Sequence, residues 1–144
     1  MSRYNSEGYP DPTTYGALFK IEKETKEARS YRPMVYVCSP FSGNPRKNTE
    51  AARKYSRFAV EQGYIPIAPH LLFPQFMDEN TERDLAMFMD IALLTKCEEL
   101  WVFGEYISKG MAAEIRKAER KQIRIRYFTE ELEEITYESQ GSCL

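Results

Sequence analysis

The feature that most constrains the fold is an alternation of short apolar runs with longer segments of helical periodicity. The runs are Met34–Cys38, Tyr64–Ala68 and Glu98–Phe103, and a fourth segment, Ile123–Phe128, alternates between apolar and other residues and predicts an outer strand. Helices are predicted between these segments over about 48–62, 83–96 and 111–121. Apolar runs of this length are typical of buried parallel strands, although Pro66 weakens the second. Strands that alternate with helices predict right-handed βαβ units. We therefore expect an α/β fold: a small doubly wound parallel sheet of four to five strands with helices on both faces.

The segments around this pattern differ from it in character. Residues 1–32 predict an N-terminal extension with one helix from Pro12 to about Arg29, and 129–144 form an acidic tail with some expected helical content. The domain itself is predicted over 33–128. Within it, 69–82 lacks a clear period and predicts a long loop of the kind that often binds ligands. The helix over 83–96 is expected to bury a stripe of apolar side chains: Leu85, Phe88, Met89, Ala92 and Leu93.

Composition excludes several classes of protein. With 144 residues, 42% of them hydrophobic, the chain is expected to form one globular domain. A net charge of −2 gives no basic surface for a nucleic acid polymer. No apolar run approaches the ~20 residues that a membrane helix needs. Three cysteines without a CxxC motif or a Cys/His cluster predict no metal site, and the lack of a signal peptide predicts a cytoplasmic protein.

The segment from Ser108 to Glu114 follows the third apolar run and begins the last predicted helix. Ser108 is placed to cap that helix. Gly110 and Glu114 are four residues apart, so the carboxylate is expected to point back over a glycine that has no side chain. Such strand-to-helix corners lie where open α/β sheets bind ligands. The alternative is a surface glutamate that merely favours the helix dipole, and the same dipole would help to keep a nucleophile ionised.

Polar residues in other segments could join this corner. Ser39, Ser42 and Gly43 precede a helix and suit an oxyanion or a sugar hydroxyl. A polar turn with a helix cap is the simpler explanation of these residues, and neither GxxxxGK[ST] nor GxGxxG is present. Asp90 interrupts an apolar stretch and is either solvated or directed into the pocket. A pair of carboxyls is the usual equipment for cleaving a glycosidic bond. His70, the one histidine, is either structural or part of the site.

The residues Tyr36-x-Cys38, the Gly43 loop, Asp90 and Ser108-x-Gly110-x-x-x-Glu114 together carry a likeness to a known family. Over roughly 34–128 the sequence resembles the nucleoside 2-deoxyribosyltransferase superfamily, which includes deoxynucleoside 5'-monophosphate N-glycosidases. The stretches 36–43 and 63–70 look closest to an uncharacterised bacterial and phage branch. The resemblance implies a five-stranded flavodoxin-like or Rossmann-like domain without a cofactor. It also implies a homo-oligomer, dimer or tetramer, with sites near the subunit contacts.

The resemblance implies a role for each matching residue. Glu114 would attack C1' of the sugar and form a covalent glycosyl-enzyme. Asp90 would orient the sugar and protonate the departing base, Ser108 would contact the 5' end, and Tyr36 would line the site. Because the first loop has Ser42 where the nucleotide-hydrolase branch has arginine, recognition of a 5'-phosphate stays open.

The expected function is therefore cleavage or transfer of the N-glycosidic bond of a (deoxy)nucleoside or its 5'-monophosphate. One alternative is a non-catalytic module that binds or senses nucleotides in the same pocket. Another is a structural or interaction protein that merely keeps the fold. Since a pocket carboxylate is expected to be mostly solvated, truncation of Glu114 is predicted to leave folding intact.

Overall fold

The computed structural model describes residues 31–136, which form an α/β domain with a five-stranded, mostly parallel sheet. The strands are β1 (Met34–Cys38), β2 (Ile65–Ile67), β3 (Glu99–Phe103), β4 (Arg124–Phe128) and β5 (Glu134–Ile135). The helices are α1 (Pro45–Glu61), α2 (Pro69–Leu72), α3 (Arg83–Leu94) and α4 (Lys109–Arg120), with a 3-10 turn at Phe73–Gln75. The predicted α/β class is confirmed. The predicted helix from Pro12 to Arg29 and residues 137–144 of the acidic tail lie outside the described residues.

The order of the strands in the sheet is β2-β1-β3-β4-β5. β1 pairs in parallel with β2 and β3, and β3 pairs in parallel with β4. Their carboxyl ends therefore lie along one edge of the sheet. β2 is an edge strand, which is why it tolerates Pro66. Among the described helices, none is both long and apolar enough to cross a bilayer.

β1 and β3 show why the sequence contains continuous apolar runs, because both faces of these strands are buried. Successive side chains of a strand point to opposite faces of the sheet, and here both faces are covered. One buried cluster contains Tyr36, Cys38, Leu94, Leu100, Val102 and Met111. The other contains Val35, Val37, Tyr55, Trp101, Phe103 and Phe128.

Two element boundaries differ from the predictions because of proline. α1 begins at Pro45, three residues earlier than the predicted Asn48, since the Asn44 side chain accepts from Lys47 N at 3.2 Å and proline suits a first turn. The segment 69–82, predicted as a loop throughout, holds α2 and the 3-10 turn. Each of these begins with a proline in its first turn.

The predicted buried stripe of α3 is wrong for three of its five side chains, which are exposed, whereas Leu93 packs against a buried cluster. Leu85 and Phe88 are 51% and 71% exposed, whereas Asp90 and Leu94 are buried. The helix is apolar on nearly every side, so hydrophobic periodicity does not identify the face that packs inward. The tail also differs from its prediction, because Glu134–Ile135 pair antiparallel to β4 instead of forming helix.

Candidate active site

A cavity of about 470 Å³ lies at the carboxyl ends of the parallel strands. Its walls come from α3 and from the segments that follow β1, β2 and β3. The predicted site residues in its wall are Ser42, Gly43, His70, Asp90, Ser108, Gly110 and Glu114.

Glu114 is held between the sheet and the cavity. It lies in the second turn of α4 and is only 2% exposed. Tyr36 Oη donates a hydrogen bond to its Oε2, and Cys38 Sγ lies 3.6 Å from its Oε1. The two donors reach one carboxylate because Tyr36 and Cys38 are two residues apart in β1, so their side chains lie on the same face of the sheet. The expectation of a mostly solvated carboxylate is wrong.

Burial governs the charge of Glu114. Removal from water raises the pKa of this carboxyl to about 7, and the hydrogen bonds from Tyr36 and Cys38 lower it in part. The helix dipole was expected to favour ionisation at a solvated position. In the folded protein the loss of water outweighs the favourable contacts, so Glu114 changes charge near neutral pH.

Asp90 is the second buried carboxyl of the cavity. It is 6% exposed, and its Oδ1 has no hydrogen-bond partner among residues 31–136. Burial raises its pKa to about 7, and the negative charges of Glu114 and Glu79 add to the rise. Of the two readings that the sequence left open, the structure favours an acid directed inward. A buried oxygen without a donor is costly unless a ligand or a proton satisfies it.

The start of α4 forms another wall of the cavity. Ser108 caps the helix as predicted, because its Oγ accepts from Met111 N at 3.2 Å. The notch above Gly110 is bordered by a neighbouring helix, since a Cβ atom placed on Gly110 would lie 3.0 Å from Met87 Cε. The missing side chain of Gly110 therefore leaves room for both Met87 and the cavity.

His70 has both a structural contact and a place in the cavity wall. Its Nε2 lies 3.1 Å from the Ser39 carbonyl oxygen, which can only accept, so Nε2 carries the proton and Nδ1 is an acceptor. The ring stacks on Phe41 with 5.1 Å between centroids. Burial lowers the pKa of His70, which favours the neutral ring.

Two predicted residues stand outside the main cavity wall. Tyr36 is 1% exposed and reaches the site only through its hydrogen bond to Glu114. Ser39 lines a separate cavity of about 220 Å³, and its buried Oγ has no partner in the described part of the chain. The structure therefore does not bring the Ser39 hydroxyl to Glu114 and Asp90.

Sequence reasoning missed several residues of the wall. They include the charged side chains Glu79, Arg83 and Lys109 and the uncharged Asn80, Met87 and Tyr106. Arg83 is seven residues before Asp90 on one helix, a spacing that could have revealed a shared face. Between residues 31 and 136, no group of three or more His, Cys, Asp or Glu side chains is arranged to hold a metal ion.

These features define an α/β protein with a buried carboxyl pair in a cavity at the carboxyl edge of its sheet. Residues 33–128 match the family described as "Domain of unknown function (DUF7768)". That match covers more than half of the chain, so the chain belongs to this family. No curated protein matches the sequence.

Proposed function

We propose that the protein cleaves the N-glycosidic bond of a (deoxy)nucleoside or nucleoside 5'-monophosphate, or transfers the sugar to a second base, through a covalent intermediate on Glu114. The observation that carries this proposal is the pair of buried carboxyls, Glu114 and Asp90, in one cavity. Two carboxyls with different surroundings are what a double displacement at an anomeric carbon requires. The resemblance to the nucleoside 2-deoxyribosyltransferase superfamily supports the choice of bond.

The surroundings of the two carboxyls support different roles. Glu114 receives two hydrogen bonds, which favour its charged form, so it is suited to attack. Asp90 Oδ1 receives none from the described residues, so its neutral form is favoured and it is suited to donate a proton. With both pKa values raised to about 7, one proton shared by the pair near neutral pH gives the reactive combination.

The reaction then has two balanced halves. A Glu114 oxygen forms a bond to C1' while the bond from C1' to the base nitrogen breaks, and that nitrogen takes the Asp90 proton. The base leaves neutral, and an ester joins the sugar to Glu114. Water then attacks C1' and gives a proton to Asp90 as the ester bond breaks, which restores both carboxyls. In transfer, the nitrogen of a second base replaces the water.

The finer architecture belongs to the same proposal. We infer a doubly wound, flavodoxin-like arrangement, supported by the order β2-β1-β3-β4-β5 and by buried clusters on both sheet faces. The chain reverses its winding between β1 and β3, where such folds bind ligands. We also propose a cytoplasmic homo-oligomer, dimer or tetramer. Exposed apolar side chains of α3, Leu85 and Phe88, support a subunit contact beside the cavity.

A base-release assay tests the function. Wild-type protein is incubated with a panel of nucleosides and 5'-monophosphates, and free base is measured by chromatography. Glu114→Gln should lower the rate by roughly a thousandfold or more, because no nucleophile remains. Glu119→Gln, at an exposed position of the same helix, should leave the rate unchanged. Intact-mass spectrometry of quenched wild-type protein should show a sugar adduct that Glu114→Gln lacks.

The outcomes separate the candidate functions. Undiminished base release by Glu114→Gln would end the nucleophile assignment. Binding of a nucleotide without base release by the wild type would favour the sensing module. If no compound on the panel shifts the melting temperature, a structural or interaction role is favoured.

A further inference from the structure

Two cationic side chains, Arg83 and Lys109, line the main cavity. Neither makes an ion pair or a hydrogen bond through its side chain with any described residue. Both are exposed, and each is the first residue of its helix, Arg83 of α3 and Lys109 of α4. They are therefore free to contact a ligand in the cavity.

Their position at helix N-termini is unusual on electrostatic grounds. The first turn of a helix carries a partial positive charge, which favours acidic side chains and disfavours basic ones. α3 has Asp84 in its first turn, but α4 has no acidic residue there. Both helices connect parallel strands, so both N-termini lie at the carboxyl edge of the sheet. Two cations and two helix N-termini thus add their positive potential at the same end of the cavity.

The carboxyls lie farther along the same helices. Asp90 is seven residues after Arg83, about 10 Å along the helix axis, and Glu114 is five residues after Lys109, about 7 Å. The cavity therefore has a cationic end and an acid end. Asp90 is more than nine-tenths buried, and its Oδ1 has no hydrogen-bond partner among residues 31–136, which is an independent sign that a ligand completes the acid end.

From this polarity we propose that Arg83 and Lys109 bind the phosphate of the substrate, which makes the substrate class a nucleoside 5'-monophosphate and not a nucleoside. The proposal rests on the proposed function. A nucleoside 5'-monophosphate has its anomeric carbon on one side of the sugar and its anion on the other, as the cavity has its carboxyls and its cations. Glu79 also lines the cavity, but the two cations exceed its single negative charge. A cavity of about 470 Å³ lies within the range of small-molecule sites.

Binding without turnover tests the proposal. In a Glu114→Gln background, affinities for a 2'-deoxynucleoside 5'-monophosphate and for the matching nucleoside are measured by titration calorimetry. The parent should bind the monophosphate at least about tenfold more tightly, and Arg83→Gln with Lys109→Gln should weaken it by roughly tenfold to a hundredfold. Nucleoside affinity should change less than about threefold, since the carboxyl end is untouched. Arg120→Gln and Lys121→Gln, at the other end of α4, are the matched controls.

The outcomes distinguish this proposal from the function on which it rests. Equal affinity of the parent for both ligands, or an unchanged preference after both substitutions, would overturn the phosphate assignment even if the wild type releases base. Inorganic phosphate that binds as tightly as the nucleotide would overturn the substrate class. Monophosphate binding that depends on Arg83 and Lys109, without base release by the wild type, would support the anion site and contradict the glycosidase.

Discussion

At the scale of single residues, the carboxylate of Glu114 is defined by the two side chains beneath it. Tyr36 and Cys38 are both nearly inaccessible to solvent, and each contributes a donor to one oxygen of Glu114. Burial raises the pKa of Cys38 well above its usual value, and the charge of Glu114 adds to the effect, so the thiol remains a donor. The two contacts fix the direction in which the carboxylate faces. In the proposed reaction, a carboxylate fixed in this way would need little reorganisation before attack.

Removal of the Tyr36 hydroxyl should change the pH dependence of the proposed base release. Burial raises the pKa of Glu114, and the Tyr36 hydrogen bond opposes that rise, so Tyr36→Phe should raise it further. Because attack needs an ionised Glu114, the acid limb of the pH profile of kcat/KM should move to higher pH, with roughly a tenfold to hundredfold loss at neutral pH. Tyr55→Phe, in the opposite core cluster, is the control. An unmoved acid limb would show that Tyr36 only packs.

Substitution of Gly110 tests whether the free space in the cavity, and not its charge, limits nucleotide binding. A Cβ at this position would lie 3.0 Å from Met87 Cε, the end of a flexible side chain that can move. Gly110→Ala should therefore leave the free energy of unfolding unchanged or raise it by up to about 1 kcal/mol, since alanine favours helix. The displaced Met87 side chain should enter the cavity and lower nucleotide affinity by roughly tenfold.

The double variant Gly110→Ala with Met87→Ala distinguishes this explanation from a direct effect of the new methyl group. If Met87 is the obstruction, the second substitution should restore most of the nucleotide affinity in titration calorimetry. Met87→Ala alone is the control. Persistent loss of affinity in the double variant would contradict the explanation.

At the scale of elements, β1 and α4 could be predicted because local chemistry defines them. β1 is a short, continuous apolar run, and Ser108 caps α4 where a helix start was expected. α3 could not be oriented, because apolar residues surround it and the buried face contains Asp90. Asp90 faces inward because it lines the cavity. The cavity is formed by loops that are distant in sequence, so the pattern of α3 alone does not reveal it. The contact of Cys38 with Glu114 likewise depends on packing between β1 and α4.

The caps of two helices separate stability from binding. Ser108 Oγ accepts from Met111 N, and Asn44 Oδ1 accepts from Lys47 N, each at 3.2 Å. Ser108→Ala and Asn44→Ala should each lower the free energy of unfolding by about 1 kcal/mol in denaturant titrations. Only Ser108 lines the main cavity, so only Ser108→Ala should also weaken nucleotide binding beyond this loss of stability. Equal effects of both variants on binding would remove Ser108 from the site.

At the scale of the whole molecule, the site lies where the parallel strands end, while ionic contacts hold another part of the sheet. Arg126 of β4 donates to both carboxylate oxygens of Glu134 and lies over the Trp101 ring at 4.9 Å. These contacts join β5 to the sheet through paired charges. The cavity has the opposite character, because Glu114 and Asp90 are buried there without a cationic partner among the described residues. The fold therefore tolerates the free-energy cost of burying two carboxyls at the place where the proposed chemistry occurs.

That cost predicts how stability depends on pH. The folded pKa values of Glu114 and Asp90, about 7, lie above the ordinary values of 4.5 and 3.8. Below about pH 3 both carboxyls are protonated in both the folded and the unfolded state, and their contribution to stability is complete. As pH rises toward 7, the unfolded chain releases these protons and the folded protein retains them, so the free energy of unfolding falls. Above about pH 7 no further loss is expected from this pair.

The comparison of wild-type protein with the Glu114→Gln, Asp90→Asn double variant isolates the effect. Each carboxyl should contribute a loss on the order of 3 kcal/mol, spread between about pH 3 and 7. Denaturant titrations at several pH values should therefore show a wild-type free energy that falls over this range relative to the variant. Shifts at other groups, such as the lowered pKa values of Glu134 and His70, are common to both proteins and cancel. Parallel pH curves would mean that the two carboxyls titrate alike in the folded and unfolded states, and the charge pattern of the proposed reaction would lose its physical basis.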